Sequence, residues 1–215
     1  MDYCYCQMSG YPGFQEKIRQ KREGEDFIRR VKDRGSSVAI VAPHGGRIEP
    51  GTSELALALA SYNFSYYLFE GRQLKNNRDL HVRSTQFDDP LCLDLLRKSQ
   101  YAVSIHGCAG RDDRVYLGGR NQALQRIILH CLQSNGFPAI QDETNHAGID
   151  EGNICNRCFS QEGVQLEISG ALREDFLISP EKRMISVQTK KFHSFVSSLR
   201  EALGIYAVES HMGER

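Results

Sequence analysis

The chain has 215 residues, enough for one sizeable core, and an ordinary globular composition with 40% hydrophobic and 25% charged residues. Lysine plus arginine equals aspartate plus glutamate at 27 each, so the net charge offers no field that would attract nucleic acid or an anionic membrane. No stretch approaches the roughly 20 apolar residues of a membrane span, and the odd number of cysteines, 7, argues against a secreted disulfide framework.

We expect a single domain over residues 1–215, with residues 1–12 as a weakly ordered lead-in. The N-terminus lacks the basic and then apolar regions of a signal peptide. We therefore expect synthesis in a reducing cytoplasm without a signal peptide. Release by lysis, and action outside the cell after it, would leave no mark in the sequence.

The first charged segment, residues 14–34, predicts a helix that ends at Gly35. Phe27, Ile28 and Val31 would form its apolar face. A solvated helix covering a sheet is favoured over a nucleic-acid patch, because acidic residues interrupt the basic ones throughout the segment.

An apolar run, Val38–Ala42, stops at Pro43 and is followed at once by His44, two glycines and Glu49. Apolar runs without polar alternation suit strands that are covered on both faces, as in α/β domains. The sites of such domains lie beyond the carboxyl ends of the strands. We therefore expect His44 and Glu49 at one end of a sheet, where they could converge on one ion.

The following patterns predict a helix over 52–60, strands over 65–71 and 101–105, and a helix over 91–98 between those strands. The strand at 101–105 ends at His106, which is followed by small residues. It thus repeats the order seen at His44. Two histidines at equivalent strand ends can reach a common point above a sheet, and a metal ion explains this better than chance.

The rest of the chain predicts strands at 115–119, 137–140 and 163–169, a helix at 121–134, a polar loop at 142–153, a helix start at Ser179 and a final amphipathic helix. In the strand at 163–169, Glu167 alternates with apolar neighbours. Glu167 therefore points away from the apolar set, or toward the site at the strand's end.

His44, Glu49 and His106 form a set of two histidines and one carboxylate. In catalytic zinc sites, three such ligands leave one position for water, whose pKa the ion lowers to about 7. Glu167 is the best candidate to accept a proton and return it to the leaving amine, although it could instead be a structural strand carboxylate. Arginines would hold substrate carboxylates through forked hydrogen bonds.

Two cysteine interpretations compete with this one. Cys155 and Cys158 form a lone C-x-x-C without a second pair, and ordinary loop cysteines are favoured over a zinc or redox motif. Cys108, close after His106, could indicate a Cys/His hydrolase. That hypothesis is weaker, because it leaves His44 and Glu49 without a task.

The segments that carry these residues closely resemble the phage poly-γ-glutamate hydrolase family, over about residues 36–200: 44–49, 80–90, 104–107, 116–119, 153–157 and 163–169. Members occur in bacteriophages and Bacillus chromosomes, and are zinc-dependent peptidases that cut γ-amide bonds of this capsule polymer. The resemblance implies an α/β fold like that of zinc carboxypeptidases: an open, mixed, twisted sheet with helices on both faces.

The same resemblance implies that His44, Glu49 and His106 bind one zinc ion and that Glu167 is catalytic. In the broader carboxypeptidase pattern the first histidine and glutamate are three apart, whereas Glu49 lies five after His44, so its equivalence rests on the narrower family. The residues expected to bind substrate are Arg83, Asn153, Asn156, Arg157 and Arg173, with Arg47 and Arg120 as further candidates.

Alternatives stay open. Asn153, Asn156 and Arg157 could equally tie down a loop. Within enzymes, the chain could be a zinc amidohydrolase of a small acyl-amino acid or a cell-wall peptide. From another class, it could be a non-catalytic module that binds polyanions and uses a structural zinc.

Overall fold

The structure, a computed structural model, describes residues 13–178 and 187–212; the expected lead-in at 1–12 and the expected helix start at Ser179 lie outside them. The helices are α1 Phe14–Ile18, α2 Thr52–Ala60, α3 Pro90–Lys98, α4 Gln122–Ser134, α5 Gly170–Phe176 and α6 Lys190–Met212. The strands are β1 Phe27–Lys32, β2 Val38–Gly46, β3 Ser65–Gly71, β4 Tyr101–Cys108, β5 Val115–Gly119, β6 Ala139–Gln141, β7 Val164–Ser169, β8 Leu177–Ile178 and β9 Val187–Gln188.

Strands β1 to β7 form one open sheet in the order β1-β3-β2-β4-β7-β5-β6. Its centre is parallel, with β3, β2, β4 and β7 running the same way. The outer strand β1 is antiparallel to β3, and β5 is antiparallel to β7. The carboxyl ends of β2, β4 and β7 therefore meet at one edge of the sheet, where sites of open α/β sheets form.

Both faces of the sheet are covered. In β2, Val38, Ile40 and Ala42 enter a core with α2, α4, α5 and α6. Ala39 and Val41 face the opposite way, into a second core with α1 and α3. This alternation explains why β2 reads as a continuous apolar run, since each residue is buried on one face or the other. The predicted open mixed α/β sheet with helices on both faces is confirmed.

The predicted helix over residues 14–34 is wrong. Helix α1 ends at Ile18, and β1 pairs antiparallel with β3. The charges that suggested a solvated helix lie in α1, in the turns around β1 and on β1 itself, an edge strand, where charged side chains discourage pairing with other chains. Arg29 on β1 reaches the fully buried Asp89, with Nη1 3.4 Å from the carboxylate.

Two further features bear on the sequence analysis. None of the described helices has the length and apolarity needed to traverse a bilayer. Cys155 and Cys158 are buried and free, so the C-x-x-C carries no disulfide. Strand β7 also runs directly into α5, a helix that the sequence patterns did not indicate.

Candidate metal centre and active site

The two predicted histidines come together at the carboxyl edge of the sheet. Strands β2 and β4 pair in parallel with Val41 opposite Ser104, so that each strand delivers its histidine at the same level. His44 and His106 are buried, with 2% and 1% of their surface exposed, and their Nδ1 atoms lie 3.2 Å apart.

Hydrogen bonds on the far side of each ring orient these nitrogens. His44 Nε2 lies 2.6 Å from the carbonyl oxygen of Val82, to which it donates. His106 Nε2 lies 3.2 Å from the hydroxyl of Ser104. When Nε2 carries the proton and Nδ1 does not, as a bound cation would require, both Nδ1 lone pairs face a common point. Partners of this kind fix the ring orientation of metal-binding histidines.

Glu49 completes the cluster. Its Oε1 lies 3.1 Å from His44 Nδ1, and its Oε2 accepts a hydrogen bond of 2.8 Å from the backbone N–H of Gly107. Burial acts to raise the pKa of Glu49, but the facing His44 outweighs it and lowers that pKa. Burial and the charge of His44 lower the pKa of His106 to about 3. The cluster therefore presents an ionised carboxylate beside a neutral imidazole at neutral pH.

This donor set fits a divalent cation. One ligand atom from each of His44, Glu49 and His106 lies within 4.8 Å of the other two. For tetrahedral zinc with bonds of about 2.0–2.1 Å, neighbouring ligand atoms should lie roughly 3.3–3.4 Å apart. The 3.1 and 3.2 Å separations are close to that value. Two imidazoles and one carboxylate also match the ligand types of catalytic zinc.

Glu167 lies on the neighbouring strand at the same level. In the parallel β4–β7 pair it stands opposite His106, and its side chain lines the same pocket. Burial, reinforced by the charge of Glu49, raises the pKa of Glu167 to about 8. The structure thus places a carboxyl group with a raised pKa beside the cluster, as a proton-transfer group requires.

Arg173, expected to bind substrate, is committed elsewhere. Its Nε donates to Ile168 O, its Nη1 to Pro50 O and its Nη2 to Cys108 O, at 3.0, 2.7 and 3.2 Å. It passes so close to Gly107 that a Cβ there would lie 2.6 Å from its guanidinium carbon. In the structure Arg173 braces the chain beside the pocket, because its three nitrogens all donate to backbone carbonyls, and substrate binding by Arg173 stays a prediction.

Asn153 and Asn156 also hold backbone in place, the alternative that the sequence left open. They are 5% and 2% exposed. Asn153 bonds Gln165 and the backbone N–H of Cys155, while Asn156 bonds the carbonyls of Gly148 and Asp150. These bonds give both residues a structural role, and substrate contact by either stays a prediction.

The remaining arginines divide between two cavities. Arg83 lines the pocket of about 360 Å³ that contains the metal cluster and Glu167, and it is exposed to solvent. Arg157 lines a separate cavity of about 580 Å³ together with Arg97. Arg47 caps the carbonyls of Arg72 and Gln73. Arg120 pairs with the exposed Glu151 at 3.6 Å.

Sequence reasoning missed two histidines of this pocket. His81 stacks on His44 with ring centroids 3.9 Å apart, and its Nε2 lies 3.3 Å from Glu49 Oε1. His146 also lines the pocket. His81 directly precedes Val82, whose carbonyl oxygen accepts a hydrogen bond from His44. The signal for His81 in the sequence was therefore a histidine in a loop between two predicted elements. His146 lies in a polar loop and carried none.

Cys108 also lines the pocket, as a protonated thiol. Burial, with the neighbouring charge of Glu167, raises the pKa of its thiol to about 11. A thiol nucleophile needs the opposite shift. The Cys/His hydrolase hypothesis therefore loses support in the structure.

The chain is similar to known proteins in sequence and in structure. The family model for poly-γ-glutamate hydrolase matches residues 11–198. The UPF0714 protein YndL of Bacillus subtilis (strain 168) is 35% identical over 188 residues, which cover 86% of this chain and 74% of YndL. A structure of zinc-free, apo YndL superimposes with a TM-score of 0.83 at 33% identity, covering 90% of this chain and 96% of that one.

Two further structures show how far the likeness extends. A bacteriophage poly-γ-glutamate hydrolase matches with a TM-score of 0.88 at 33% identity, covering 92% of this chain and 97% of that one. N-formylglutamate amidohydrolase from Ralstonia eutropha JMP134 matches with a TM-score of 0.53 at 10% identity, covering 87% and 99% of the two chains, a likeness of fold alone. These likenesses agree with the open, mixed α/β fold expected from the sequence.

Proposed function

The chain belongs to the poly-γ-glutamate hydrolase family, and we propose that it hydrolyses the γ-glutamyl amide bonds of poly-γ-glutamate with one zinc ion. The proposed ligands are His44, Glu49 and His106. The observation that carries the proposal is the convergence of their three donor atoms within 4.8 Å, in the same pocket as Glu167. That YndL is known in a zinc-free form supports zinc as the ion.

Glu167 is the proposed proton carrier. Zinc, when bound, would polarise the amide carbonyl and lower the pKa of water, as it does in other hydrolases. Glu167, on the strand beside His106, would accept a proton from the attacking water. A positive ion nearby would favour its ionised form, because opposite charges lower the pKa of a carboxyl group.

Arg83 is the proposed anchor for the polymer. Poly-γ-glutamate carries a free carboxylate on every residue, and a guanidinium binds carboxylates through two parallel hydrogen bonds. Among the residues that line this pocket, Arg83 contributes the guanidinium. Its exposed position suits a carboxylate next to the bond that is cut. The chain as a whole has a formal net charge of zero, so it does not repel a polyanion.

The direct test is to incubate the purified protein with poly-γ-glutamate and to size the products by gel filtration. We expect zinc-loaded protein to shorten the polymer, chelator to stop this with the circular dichroism spectrum retained, and added zinc to restore it. Poly-α-glutamate, which has the same charge but α-amide bonds, should stay intact.

The outcomes also separate the alternatives. Intact poly-γ-glutamate with zinc-loaded protein would contradict the proposal, and cleavage of small acyl-amino acids in its place would favour an amidohydrolase. Unfolding on chelation, without hydrolysis beforehand, would favour a module with structural zinc.

A further inference from the structure

The loop over residues 142–153 contributes His146 to the lining of the pocket that contains the metal cluster. His146 Nδ1 lies 2.7 Å from Asp142 Oδ2. The other carboxylate oxygen of Asp142 accepts hydrogen bonds from the backbone N–H and the hydroxyl of Thr144, at 2.8 and 2.7 Å. Asp142 is thus held on both oxygens. It fixes the histidine ring with Nδ1 protonated and leaves Nε2 as the free ring nitrogen.

This loop is fastened at three points, of which two are on the sheet. Gln165 Nε2 donates to the carbonyl of His146 at 3.1 Å, Gly119 N–H donates to Ala147 O at 2.7 Å, and Asn156 holds Gly148 O. The loop lies so close to β5 that a Cβ on Gly118 would stand 2.0 Å from His146 O. The histidine is therefore positioned by rigid backbone, as catalytic groups need to be.

Strand pairing and ring stacking place His146 beside Glu167. Tyr116 stands opposite Glu167 in the antiparallel β5–β7 pair. The ring of His146 stacks on that of Tyr116, with centroids 4.9 Å apart and planes inclined by 27°. A ring nitrogen of His146, the carboxylate of Glu167 and Cys108 Sγ all lie within 4.8 Å of one another. One water molecule, or the nitrogen of a substrate, spans such a distance.

We propose that His146, protonated on both ring nitrogens at the start of the cycle, is a further catalytic residue, which donates a proton from Nε2 to the leaving nitrogen of the amide, with Asp142 as its positioning residue. This inference rests on the proposed hydrolase function. The water oxygen bonds to the carbonyl carbon and gives one proton to Glu167. The carbon–nitrogen bond then breaks as His146 protonates the nitrogen, so the products are a carboxylic acid and an amine. Glu167 passes its proton back to His146 through solvent, which restores both groups.

This assignment separates two tasks that one carboxylate would otherwise perform in turn. An alkyl amine is a poor leaving group until its nitrogen is protonated, and a positioned general acid typically contributes about 10²–10⁴-fold to the rate. The same three side chains could instead hold a second cation, or Cys108 could use His146 as the base of a thiol nucleophile. Both alternatives predict different measurements.

The experiment uses zinc-loaded protein and two γ-linked glutamate oligomers that differ only in the leaving amine, glutamate or 4-nitroaniline. We expect His146→Gln to lower kcat for release of glutamate by about 100-fold or more. For release of 4-nitroaniline, a weak base that leaves without prior protonation, the loss should stay below about tenfold. Asp142→Asn should show the same dependence on the leaving group with a smaller loss. The controls His130→Gln and Asp94→Asn, exposed residues outside the pocket, should match the wild type.

Equal losses on both oligomers would overturn the proposal, and so would a raised KM with unchanged kcat, which indicates a carboxylate-binding residue. Elemental analysis should find the same metal content in His146→Gln and wild type; loss of one equivalent would show a second metal site instead. Cys108→Ala should remain active, and its inactivity would indicate a thiol nucleophile. Inactive wild type on both oligomers would refute the hydrolase function and this inference with it, whereas active wild type with unaffected His146→Gln refutes the inference alone.

Discussion

The pocket has two walls that were reached by the chain in different ways. The first is built at strand ends: His44 and His106 lie near the carboxyl ends of β2 and β4, and Glu167 lies near that of β7. The second is the loop that carries Asp142 and His146, fastened over β5 by backbone contacts. Candidate functional residues at strand ends can therefore be recognised from the sequence. The position of a loop cannot, because it depends on packing against segments that are distant in the chain.

The largest expected effect comes from substituting a proposed metal ligand of the first wall. His44→Ala and His106→Ala should each lose the bound ion and with it all measurable turnover, because two remaining ligands do not hold zinc against competition. Elemental analysis after gel filtration measures the metal directly. His130→Ala, at an exposed position on α4, is the matched control. A full zinc complement in either variant would contradict the ligand assignment.

Next in size is a change that spares the metal but removes the proton carrier. Glu167→Gln keeps the shape of the side chain and should leave the zinc content unchanged, while turnover falls by about 10³-fold or more. The contrast between metal content and rate separates the role of Glu167 from that of the ligands. Retained activity would refute the catalytic role.

A substitution at Gly118 tests the second wall without touching the first. The Cβ of Gly118→Ala would meet His146 O at 2.0 Å, so the loop must move away from β5. We expect kcat to fall by about 10–100-fold with unchanged metal content, and stability to drop by about 1–3 kcal/mol. Gly204→Ala, on α6 with nothing near its added Cβ, should keep both. Unchanged kcat in Gly118→Ala would mean that the position of the loop is irrelevant to turnover.

The smallest expected effect is a pH dependence of stability in metal-free protein. Burial raises the pKa of Glu167 from 4.5 to about 8, so between these values the folded chain holds a proton that the unfolded chain has released. Stability from this group therefore falls as the pH rises. Urea unfolding at about pH 6.5 and about pH 8 should show the wild type losing about 2 kcal/mol relative to Glu167→Gln. If the difference in unfolding free energy between the wild type and Glu167→Gln stays constant with pH, the raised pKa of Glu167 is contradicted.

The sequence predicted the sheet well where strands are buried. Apolar runs gave β3 and β5 with their observed bounds, because burial on both faces leaves an unmistakable pattern. It failed at β1, where charges on an edge strand imitate a solvated helix, and at α5, which follows β7 without a break. Pairing with β3 decides the first case, and that pairing is not written in the local sequence.

For the site, the sequence predicted which residues lie at the sheet's edge but not which side chains are free. Asn153 and Arg173 were expected at the substrate because both are polar and close to the family motifs. In the structure each of them bonds to backbone groups, Asn153 to the N–H of Cys155 and Arg173 to the carbonyl of Ile168. His146 was missed because its position depends on Gly118 and Gln165, which contact it from other strands.

Arg173 links three segments of the chain that meet at the pocket. Its three hydrogen bonds end on carbonyls from the segment just after Glu49, from the end of β4 and from the end of β7. One rigid, planar side chain therefore holds together the pieces of chain that carry Glu49, His106 and Glu167. A lysine, with a single nitrogen, could not grip all three at once, so even this conservative exchange would let the reacting groups drift out of alignment while leaving every one of them chemically intact.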